Sequence, residues 1–271
     1  MAKMSLYMVT SSFISLLVAT SLYAVHTASK SEDFGKAATI IGWLGGIFLT
    51  LALIFRTIAS GHGPFANMYE FSVSFAWGIV LSYLVFERQI RSRSLGLLVV
   101  PIALLLLVYS FTVPSSIEPL VPALQNNLLL TVHVAVSIFS YGMFAVAFVA
   151  AALYLVQADR RRAGWLPSAE ILDEVSYKSV IVGVPLFALV IILGAYWGNI
   201  AWGRYWGWDP KETASLVTWL IYLGYLHTRT VVGWKGKPSA VLLVVGFIAT
   251  LFTFFGVNLL LSGLHSYAGL D

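Results

Sequence analysis

Eight long runs without a charged side chain divide this sequence, and they constrain its fold more than any other feature. The runs are Ser5–Val25, Ala37–Phe55, Phe71–Phe86, Leu95–Val113, Leu128–Val156, Ser179–Ile200, Thr213–Leu226 and Ser239–Leu264. In a hydrocarbon environment, backbone groups are satisfied only within a helix or a closed barrel. A barrel requires two-residue alternation of polarity, and stretches such as Leu104–Val108 have none. The runs therefore predict transmembrane helices.

The composition agrees with this interpretation. Of 271 residues, 59% are hydrophobic and only 10% are charged, whereas a soluble domain carries about 25% charged residues. These values exclude an ordinary water-soluble fold, a disordered chain and a nucleic-acid-binding domain. The chain has no cysteine, which excludes disulfides and thiolate metal ligation by this chain. We predict an all-α, polytopic membrane bundle of about eight transmembrane helices, forming one domain over residues 1–271.

The distribution of basic residues predicts the orientation, because Lys and Arg are enriched in the loops on the cytoplasmic side. With both termini outside, the inner loops hold Lys30, Lys36, Arg88, Arg91, Arg93, Arg160, Arg161, Arg162, Lys178, Arg229, Lys235 and Lys237. The outer side then holds only Lys3, Arg56, Arg204 and Lys211. We therefore expect both termini on the outer side.

The segment before the sixth run has an amphipathic pattern. Within Leu166–Lys178, the apolar residues Ile171, Leu172 and Val175 share one helical face. This pattern is typical of a helix that lies along the inner membrane surface. Pro185, inside the sixth run, is expected to bend that span.

The outer loop between the sixth and seventh runs is the most informative segment. Residues 197–212 contain Trp197, Trp202, Trp206 and Trp208, with Tyr205 and several glycines among them. An aromatic belt at the membrane interface spreads its rings over many helix ends, whereas here one short loop holds them. Glycines let large rings approach a flat ligand closely, and aromatic faces stack on planar apolar groups. We interpret the loop as a platform for a planar ligand such as a porphyrin.

The end of this loop carries the signals of a helix start. Asp209 is typical of an N-cap, Pro210 of the first helical position, and Glu212 of an acid in the first turn. The cap would fix where the loop enters the helix. Arg204 and Lys211 suit two roles equally well, because they would pair either with ligand carboxylates or with phospholipid headgroups.

The five histidines divide by side. His26 and His227 lie at the inner ends of their runs, whereas His62, His133 and His265 lie on the outer side. A lone histidine is most often a packed or interfacial residue. Three on one side suggest ligation, because histidine binds zinc, copper and haem iron. A zinc site made of the three outer histidines is conceivable, but it leaves the tryptophan-rich loop without a purpose.

These motifs resemble the CcsA family of cytochrome c biogenesis proteins, also called ResC, within a wider superfamily of haem-handling proteins. The family signature is WGxxWxWDPKE, which Trp202–Glu212 matches. The resemblance covers most of the chain and extends to Gly61–Glu70, His133, Trp219, Leu226–Arg229 and Leu264–Tyr267. Two positions depart from the family pattern, Ala214 for a tryptophan and Phe71 for a serine, and neither removes a proposed ligand.

The resemblance implies two sites for haem b, which is bound as a substrate. His133 and His265 would ligate the iron of an outer haem, and His227 would ligate the iron of an inner haem. The second inner ligand would come from a CcsB/ResB-like partner protein, with His26 as the intrachain candidate. The residues expected to hold haem are His133, His265, His227, Trp202, Trp206, Trp208, Asp209 and Arg204.

The implied function is that of the membrane component of a system II cytochrome c synthase. Such a haem lyase presents haem outside the cytoplasmic membrane, or the thylakoid membrane in a plastid or cyanobacterium. The haem then forms thioethers with apocytochrome c. Three alternatives stay open: a CcmC-like haem chaperone, a haem or small-molecule transporter without ligase activity, and a scaffold whose partner does the chemistry. Eight runs favour the CcsA-like interpretation, because CcmC proteins usually have about six spans.

Overall fold

The structure, a computed structural model, describes residues 1–90, 93–117, 127–159 and 167–261. Most of these residues are helical and none lies in a strand, which confirms the predicted all-α class. The helices are α1 (Ala2–Ser29), α2 (Glu32–Ser60), α3 (Met68–Ile90), α4 (Gly96–Thr112), α5 (Asn127–Asp159), α6 (Ala169–Trp202), α7 (Pro210–His227), α8 (Lys237–Leu251) and α9 (Val257–Leu260). A 3₁₀ turn at Arg93–Leu95 precedes α4, and π-helical turns at Thr228–Val232 and Phe252–Gly256 follow α7 and α8.

Each of the eight charge-free runs coincides with helical structure over the residues described. Seven helical segments among these residues are long and apolar enough to cross a membrane. They are Ala2–Ser29, Glu32–Ser60, Met68–Arg88, Arg93–Thr112, Leu128–Gln157, Ala169–Trp202 and Lys237–Gly256. The seventh run lies in α7, which has 18 residues and is not among these seven segments. The chain is therefore a multi-pass helical membrane protein.

The expectation of a separate surface helix before the sixth run is wrong. From Ala169 onward this segment is the first part of α6, a continuous helix of 34 residues that contains Pro185. At 1.5 Å per residue α6 is about 51 Å long, which exceeds the roughly 30 Å hydrocarbon core. Of the apolar face of the segment, Leu172 and Val175 are buried, whereas Ile171 is exposed. No helix-breaking residue separates the segment from the sixth run, so the two form one element.

The helices fall into two compact units, one built from α1 to α4 and the other from α5, most of α6 and α7 to α9. In the first unit, small residues bring α1 and α2 close together. The hydroxyls of Ser5 and Ser12 donate to the carbonyl oxygens of Ala52 and Gly45, each at 2.9 Å. Close approach of this kind is typical of helix pairs in membranes, because small side chains expose backbone oxygens to a neighbouring helix.

A buried ion pair ties together three segments of the first unit. Arg56 Nε donates to Glu70 Oε1 at 2.6 Å, and both side chains are almost fully buried. Arg56 Nη1 and Nη2 donate to the carbonyl oxygens of Ser115 and Ser116, and the backbone N–H of Ala66 donates to Glu70 Oε2. Because both charged groups have several partners, the cost of desolvating them is largely offset. The pair fixes the segment between α2 and α3.

A second buried carboxylate lies at the opposite end of α3. Glu87 Oε2 accepts hydrogen bonds from the hydroxyls of Tyr23 and Tyr83, each at 2.7 Å. Glu87 Oε1 accepts one from the Thr39 hydroxyl at 2.6 Å, and Arg93 Nε lies 3.7 Å from the same oxygen. Glu87 thereby links α1, α2 and α3 with the turn before α4.

In the second unit, α5 contacts α6, α7 and α8. The Ser140 hydroxyl donates to the carbonyl oxygen of Gly183 on α6 at 3.0 Å. The Phe144 ring stacks on the Tyr222 ring of α7, with 3.7 Å between centroids. The Phe148 ring stacks on the Phe247 ring of α8 at 4.5 Å. This packing fixes the helices that flank the tryptophan-rich loop.

Candidate functional site

The tryptophan-rich loop begins where α6 ends. Trp202 is the last residue of α6, and Gly203 follows with a φ of 73°. The backbone N–H of Gly203 donates to the carbonyl oxygen of Asn199 at 3.0 Å, which closes the helix end. Glycine suits this position because residues with a Cβ atom disfavour the left-handed conformation.

The two tryptophans at the end of α6 pack against each other. The Trp197 and Trp202 rings meet edge to face with centroids 4.7 Å apart, and Trp197 is only 3% exposed. Gly198 lies beside this pair, and a Cβ atom there would make ordinary contacts at 3.4 Å with the Trp202 ring and the Arg204 carbonyl oxygen. The end of α6 therefore forms a rigid aromatic base for the loop.

The next aromatic residues of the loop face outward. Trp208 is 69% exposed and Tyr205 is 57% exposed. The Trp206 ring is half-buried and meets the Trp208 ring edge to face at 5.6 Å, with an angle of 89° between the planes. Trp208 also has a φ of 57°, in the left-handed region. The left-handed conformation costs a tryptophan about 1–3 kcal/mol, which the surrounding contacts must offset.

The predicted N-cap at Asp209 is confirmed. Asp209 Oδ2 accepts a hydrogen bond from the Lys211 backbone N–H at 3.0 Å, and Pro210 occupies the first helical position. Glu212 completes a capping box, because its Oε2 atom accepts the Asp209 backbone N–H at 3.1 Å. The same oxygen also accepts the Gly207 backbone N–H at 2.8 Å. The cap thus ties the last three residues of the loop to α7.

The two cations of this segment lie at the same end of the unit. Arg204 is exposed, and its guanidinium packs against Gly207, where a Cβ atom would lie 2.5 Å from Arg204 Nε. Lys211 is half-buried. Burial lowers the pKa of the Lys211 ammonium to about 8, and the nearby Asp209 carboxylate partly opposes this shift. Both cations are placed where an anionic ligand of the loop would meet them.

His133 lies near the start of α5 and faces α6. It is the seventh residue of α5, which puts it about 9 Å along the axis from the first residue. Its ring packs against Gly194 of α6, where a Cβ atom would lie 3.1 Å from His133 Cε1. Trp197, one helical turn further along α6, leads to Trp202 and the loop. The structure therefore brings His133 to the helix whose end carries the loop.

His227 lies at the other end of α7. It is the last residue of that helix, about 25 Å along the axis from Pro210. The buried residues of α7 are Thr218, Tyr222 and Tyr225. His227 is exposed and points away from this buried stripe, because it is rotated by about half a turn from Tyr222. It is presented on the surface of the second unit.

An ion pair holds the end of α7 that carries His227. Arg229, in the π-helical turn after α7, donates through both terminal nitrogens to the two carboxylate oxygens of Asp173 on α6, and the Nη1–Oδ1 distance is 2.7 Å. The guanidinium also lies over the Tyr177 ring, 5.1 Å from its centroid. Hydrogen bonding to Asp173 raises the pKa of Arg229. This bidentate ion pair, called here the Asp173–Arg229 fork, fixes the path of the chain beyond His227.

Two of the remaining histidines lie in the first unit and are buried. His26 Nδ1 lies 2.8 Å from the carbonyl oxygen of Ser31, and His62 Nδ1 lies 2.8 Å from that of Gly63. A carbonyl oxygen only accepts, so each Nδ1 carries the proton in these contacts. His265 falls outside the residues that the structure describes.

Comparison with known proteins identifies the family. The family model described as "Cytochrome C assembly protein" matches residues 65–265, which include the loop, His133 and His227. "Cytochrome c biogenesis protein CcsA" of Prochlorococcus marinus (strain NATL2A) is 37% identical to this chain, over 94% of the chain and 91% of the relative. The chain belongs to the CcsA family of cytochrome c biogenesis proteins. "Cytochrome c biogenesis protein CcsA" of Pyropia yezoensis is 32% identical, over 95% of both chains.

The CcsA fold also resembles a solved structure. "Cytochrome c Heme Lyase CcmF" superposes with a TM-score of 0.70 at 19% sequence identity. The match covers 94% of this chain but only 46% of CcmF, so the chain spans less than half the length of that protein. At this level of identity, the similarity establishes a shared fold for the CcsA chain.

The predicted haem-binding residues that the structure describes lie at two ends of the second unit. His133, Trp202, Trp206, Trp208, Asp209 and Arg204 lie along the start of α5, the end of α6 and the start of α7. His227 is separated from them by the length of α7. The ligand roles of these residues, and of His265, stay predictions.

Two residues at the site, and one contact of Glu212, were not singled out from the sequence. Gly194 receives the His133 ring, Asp173 holds Arg229, and Glu212 accepts the Gly207 N–H beyond its capping role. A glycine inside a long apolar run was a usable signal for Gly194, because glycine in a helix often marks close approach of another group. Asp173 and Arg229 lie 56 positions apart, so no local pattern pairs them.

Proposed function

We infer that this chain is the membrane component of a cytochrome c synthase. It binds haem b as a substrate and presents it on the outer side of a cytoplasmic or thylakoid membrane for attachment to apocytochrome c. The observation that carries this proposal is the tryptophan-rich loop, with its exposed Trp208 and Tyr205 rings beside the Arg204 cation. Membership of the CcsA family, whose relatives are named for cytochrome c biogenesis, supports it.

The loop fits a metalloporphyrin in shape and charge. Trp206 and Trp208 offer aromatic surface for the apolar macrocycle, and Trp202 supports them from the end of α6. Arg204 and Lys211 lie where they would pair with the two carboxylates at one edge of the porphyrin. Asp209 holds the loop against α7 and acts through the backbone. In this proposal the two cations bind the ligand and not lipid headgroups.

Two histidines ligate the outer haem iron in this proposal. His133 is half-buried beside Gly194, on a helix that is rigidly packed against α6. Such a position limits the access of water to a bound iron and fixes the orientation of the imidazole ring. His265 enters by resemblance to the family. Together the two would hold the iron until the histidine of the apocytochrome replaces one of them.

The inner haem requires a partner. His227 is exposed on the surface of the second unit, where another membrane protein has access to it. A single histidine fills one axial position, so a CcsB/ResB-like protein supplies the other. His227 and the loop lie at opposite ends of α7, about 25 Å apart, which is close to the thickness of the hydrocarbon core. Haem would be received near one face and attached near the other.

The attachment reaction is an addition of a thiol to a vinyl group. The sulfur of each apocytochrome cysteine bonds to the inner vinyl carbon, and the thiol hydrogen ends on the outer vinyl carbon. The reaction consumes no oxidant or reductant, since all atoms of both reactants are retained. The chain contributes orientation of the vinyl edge and exclusion of water. It carries no cysteine that would compete for the haem.

The membrane orientation and the single functional domain belong to this proposal. Both termini lie on the outer side, which puts the loop outside and the Asp173–Arg229 fork inside. The excess of Lys and Arg in the inner loops supports this orientation. The two compact units then act together as one haem-handling domain over residues 1–271.

Absorption spectra of the purified chain, with and without the partner, test haem binding. We expect a bis-histidine haem spectrum in the wild-type protein, loss of part of it in His133→Ala, and loss of a different part in His227→Ala. His26→Ala is expected to have a smaller effect when the partner is present. A chain that binds no haem in any of these states is a scaffold, and the proposal then fails.

A further inference from the structure

Trp208 combines strain with exposure, an arrangement that requires an explanation. Its φ of 57° lies in the left-handed region, which residues other than glycine rarely adopt. Its ring is 69% exposed, so burial of the indole does not compensate for the strain. The contact with Trp206 is an edge-to-face pair at 5.6 Å and leaves most of the indole surface uncovered. The force that holds this conformation must therefore act on the backbone.

Glu212 accepts hydrogen bonds from the backbone on both sides of Trp208. Its Oε2 atom accepts the backbone N–H of Gly207 at 2.8 Å and that of Asp209 at 3.1 Å. These two residues are the immediate neighbours of Trp208 on either side. One carboxylate oxygen thus bridges the peptide groups that flank the strained residue, and hydrogen bonds to an ionised group are about twice as strong as neutral ones.

The bridge is more than a helix cap. A capping box needs only the contact between Glu212 and the Asp209 N–H. The contact with the Gly207 N–H is the shorter of the two and lies outside the box. It joins the loop on the far side of Trp208 to the first turn of α7. The Arg204 guanidinium lies against Gly207 on this part of the loop.

We propose that Glu212 is a positioning residue that holds Trp208 in the left-handed conformation, so that the indole is preset to stack on a planar ligand. The proposal rests on the proposed function for the identity of that ligand as haem. Without the bridge, residue 208 relaxes to an ordinary conformation and the ring leaves the ligand plane. An indole that already has the binding conformation loses less conformational entropy when haem binds, because only that conformation binds haem.

A thermal-unfolding experiment on the haem-free protein in detergent tests the backbone part of the proposal. We expect Glu212→Leu to lower the midpoint temperature by about 3 °C or more. The loss should be of similar size in a Trp208→Ala background, because alanine removes the ring but keeps the strain, and relaxation of residue 208 recovers part of the lost free energy. It should be larger in a Trp208→Gly background, because glycine adopts the left-handed conformation freely and has no strain to recover. Equal losses in both backgrounds would reduce Glu212 to a helix cap and overturn the proposal.

Haem titration of the same proteins tests the ligand part. We expect Glu212→Leu to bind haem roughly tenfold more weakly, if about a tenth of the molecules keep the competent loop. Glu212→Gln, which retains an acceptor oxygen, should lose less. Glu170→Leu, which removes a first-turn acid of α6, is the matched control and should bind as the wild type does. Unchanged affinity in Glu212→Leu would contradict the proposal, whereas absence of haem binding in the wild type would contradict the proposed function and leave the unfolding result standing.

Discussion

A missing side chain on α6 determines how the His133 imidazole is seated. A Cβ atom at Gly194 would lie 3.1 Å from His133 Cε1, which is closer than ordinary van der Waals contact. We predict that Gly194→Ala displaces the ring and changes the haem absorption spectrum while the protein still folds. Gly224→Ala is the matched control, because a Cβ atom there meets no other group within 4 Å. Identical spectra for the two variants would show that Gly194 does not seat the ligand.

The Lys211 ammonium gives the loop a pH dependence. Burial lowers the pKa of this group to about 8, so the side chain is charged below that pH and neutral above it. A carboxylate ligand gains from the charged form, and its affinity should fall as the pH rises through about 8. We predict this fall for haem binding by the wild type and its absence in Lys211→Arg, since arginine stays charged. A wild-type affinity that is flat between pH 7 and pH 9 would assign Lys211 to lipid headgroups.

The sequence predicted individual side chains well where the signal was local. Asp209, Pro210 and Glu212 form the helix start that their spacing indicates. The hydrogen bonds from the backbone beside Trp208 to Glu212 could not be predicted from the sequence, because no sequence pattern indicates a positive φ at a tryptophan. Arg56 was counted as an outer cation, and only the structure pairs it with Glu70.

The Asp173–Arg229 fork joins α6 to the turn that follows α7. The Glu174–Lys178 ion pair on α6 serves as a matched control. Both side chains of the fork are largely buried, whereas the Glu174–Lys178 pair is exposed. We predict that Asp173→Ala lowers the free energy of unfolding by about 1–3 kcal/mol, because it leaves the Arg229 charge without its partner. Glu174→Ala should cost about 0.5 kcal/mol or less. Chemical denaturation in detergent measures both.

The same fork sets the position of His227, so its loss has a second consequence. Asp173→Ala should also lower haem occupancy at the inner site, and the double variant Asp173→Arg, Arg229→Asp should restore part of it. Equal destabilisation by Asp173→Ala and Glu174→Ala would show that the fork contributes no more than a surface pair.

The sequence located the helices but misjudged one element. The charge-free runs predicted helices because backbone hydrogen bonding in hydrocarbon leaves no other choice. The amphipathic segment before the sixth run was interpreted as a surface helix, yet it continues into α6. Periodicity shows which face is buried, but it does not distinguish burial against protein from burial against lipid. Leu172 and Val175 pack against protein.

The proposed orientation of the whole chain in the membrane rests on the charge bias and is open to a direct test. The chain has no cysteine, so single cysteines give a clean background. We predict that Tyr205→Cys, in the loop, reacts with an impermeant thiol reagent on intact cells, whereas Ser168→Cys reacts only after lysis. Both positions are exposed, which makes them comparable. Labelling of position 168 but not 205 on intact cells would reverse the orientation and the assignment of both haem sites.

The measurement that tests the central claim most directly is haem attachment to a co-expressed apocytochrome c. The wild-type chain, with its CcsB/ResB-like partner, should yield cytochrome with covalently bound haem, visible by in-gel peroxidase staining. His133→Gly should abolish this yield, and added imidazole should restore part of it, because imidazole fills the vacated iron position. A wild-type chain that binds haem but forms no thioether would be a chaperone or transporter. Full attachment in His133→Gly without imidazole would contradict the outer site.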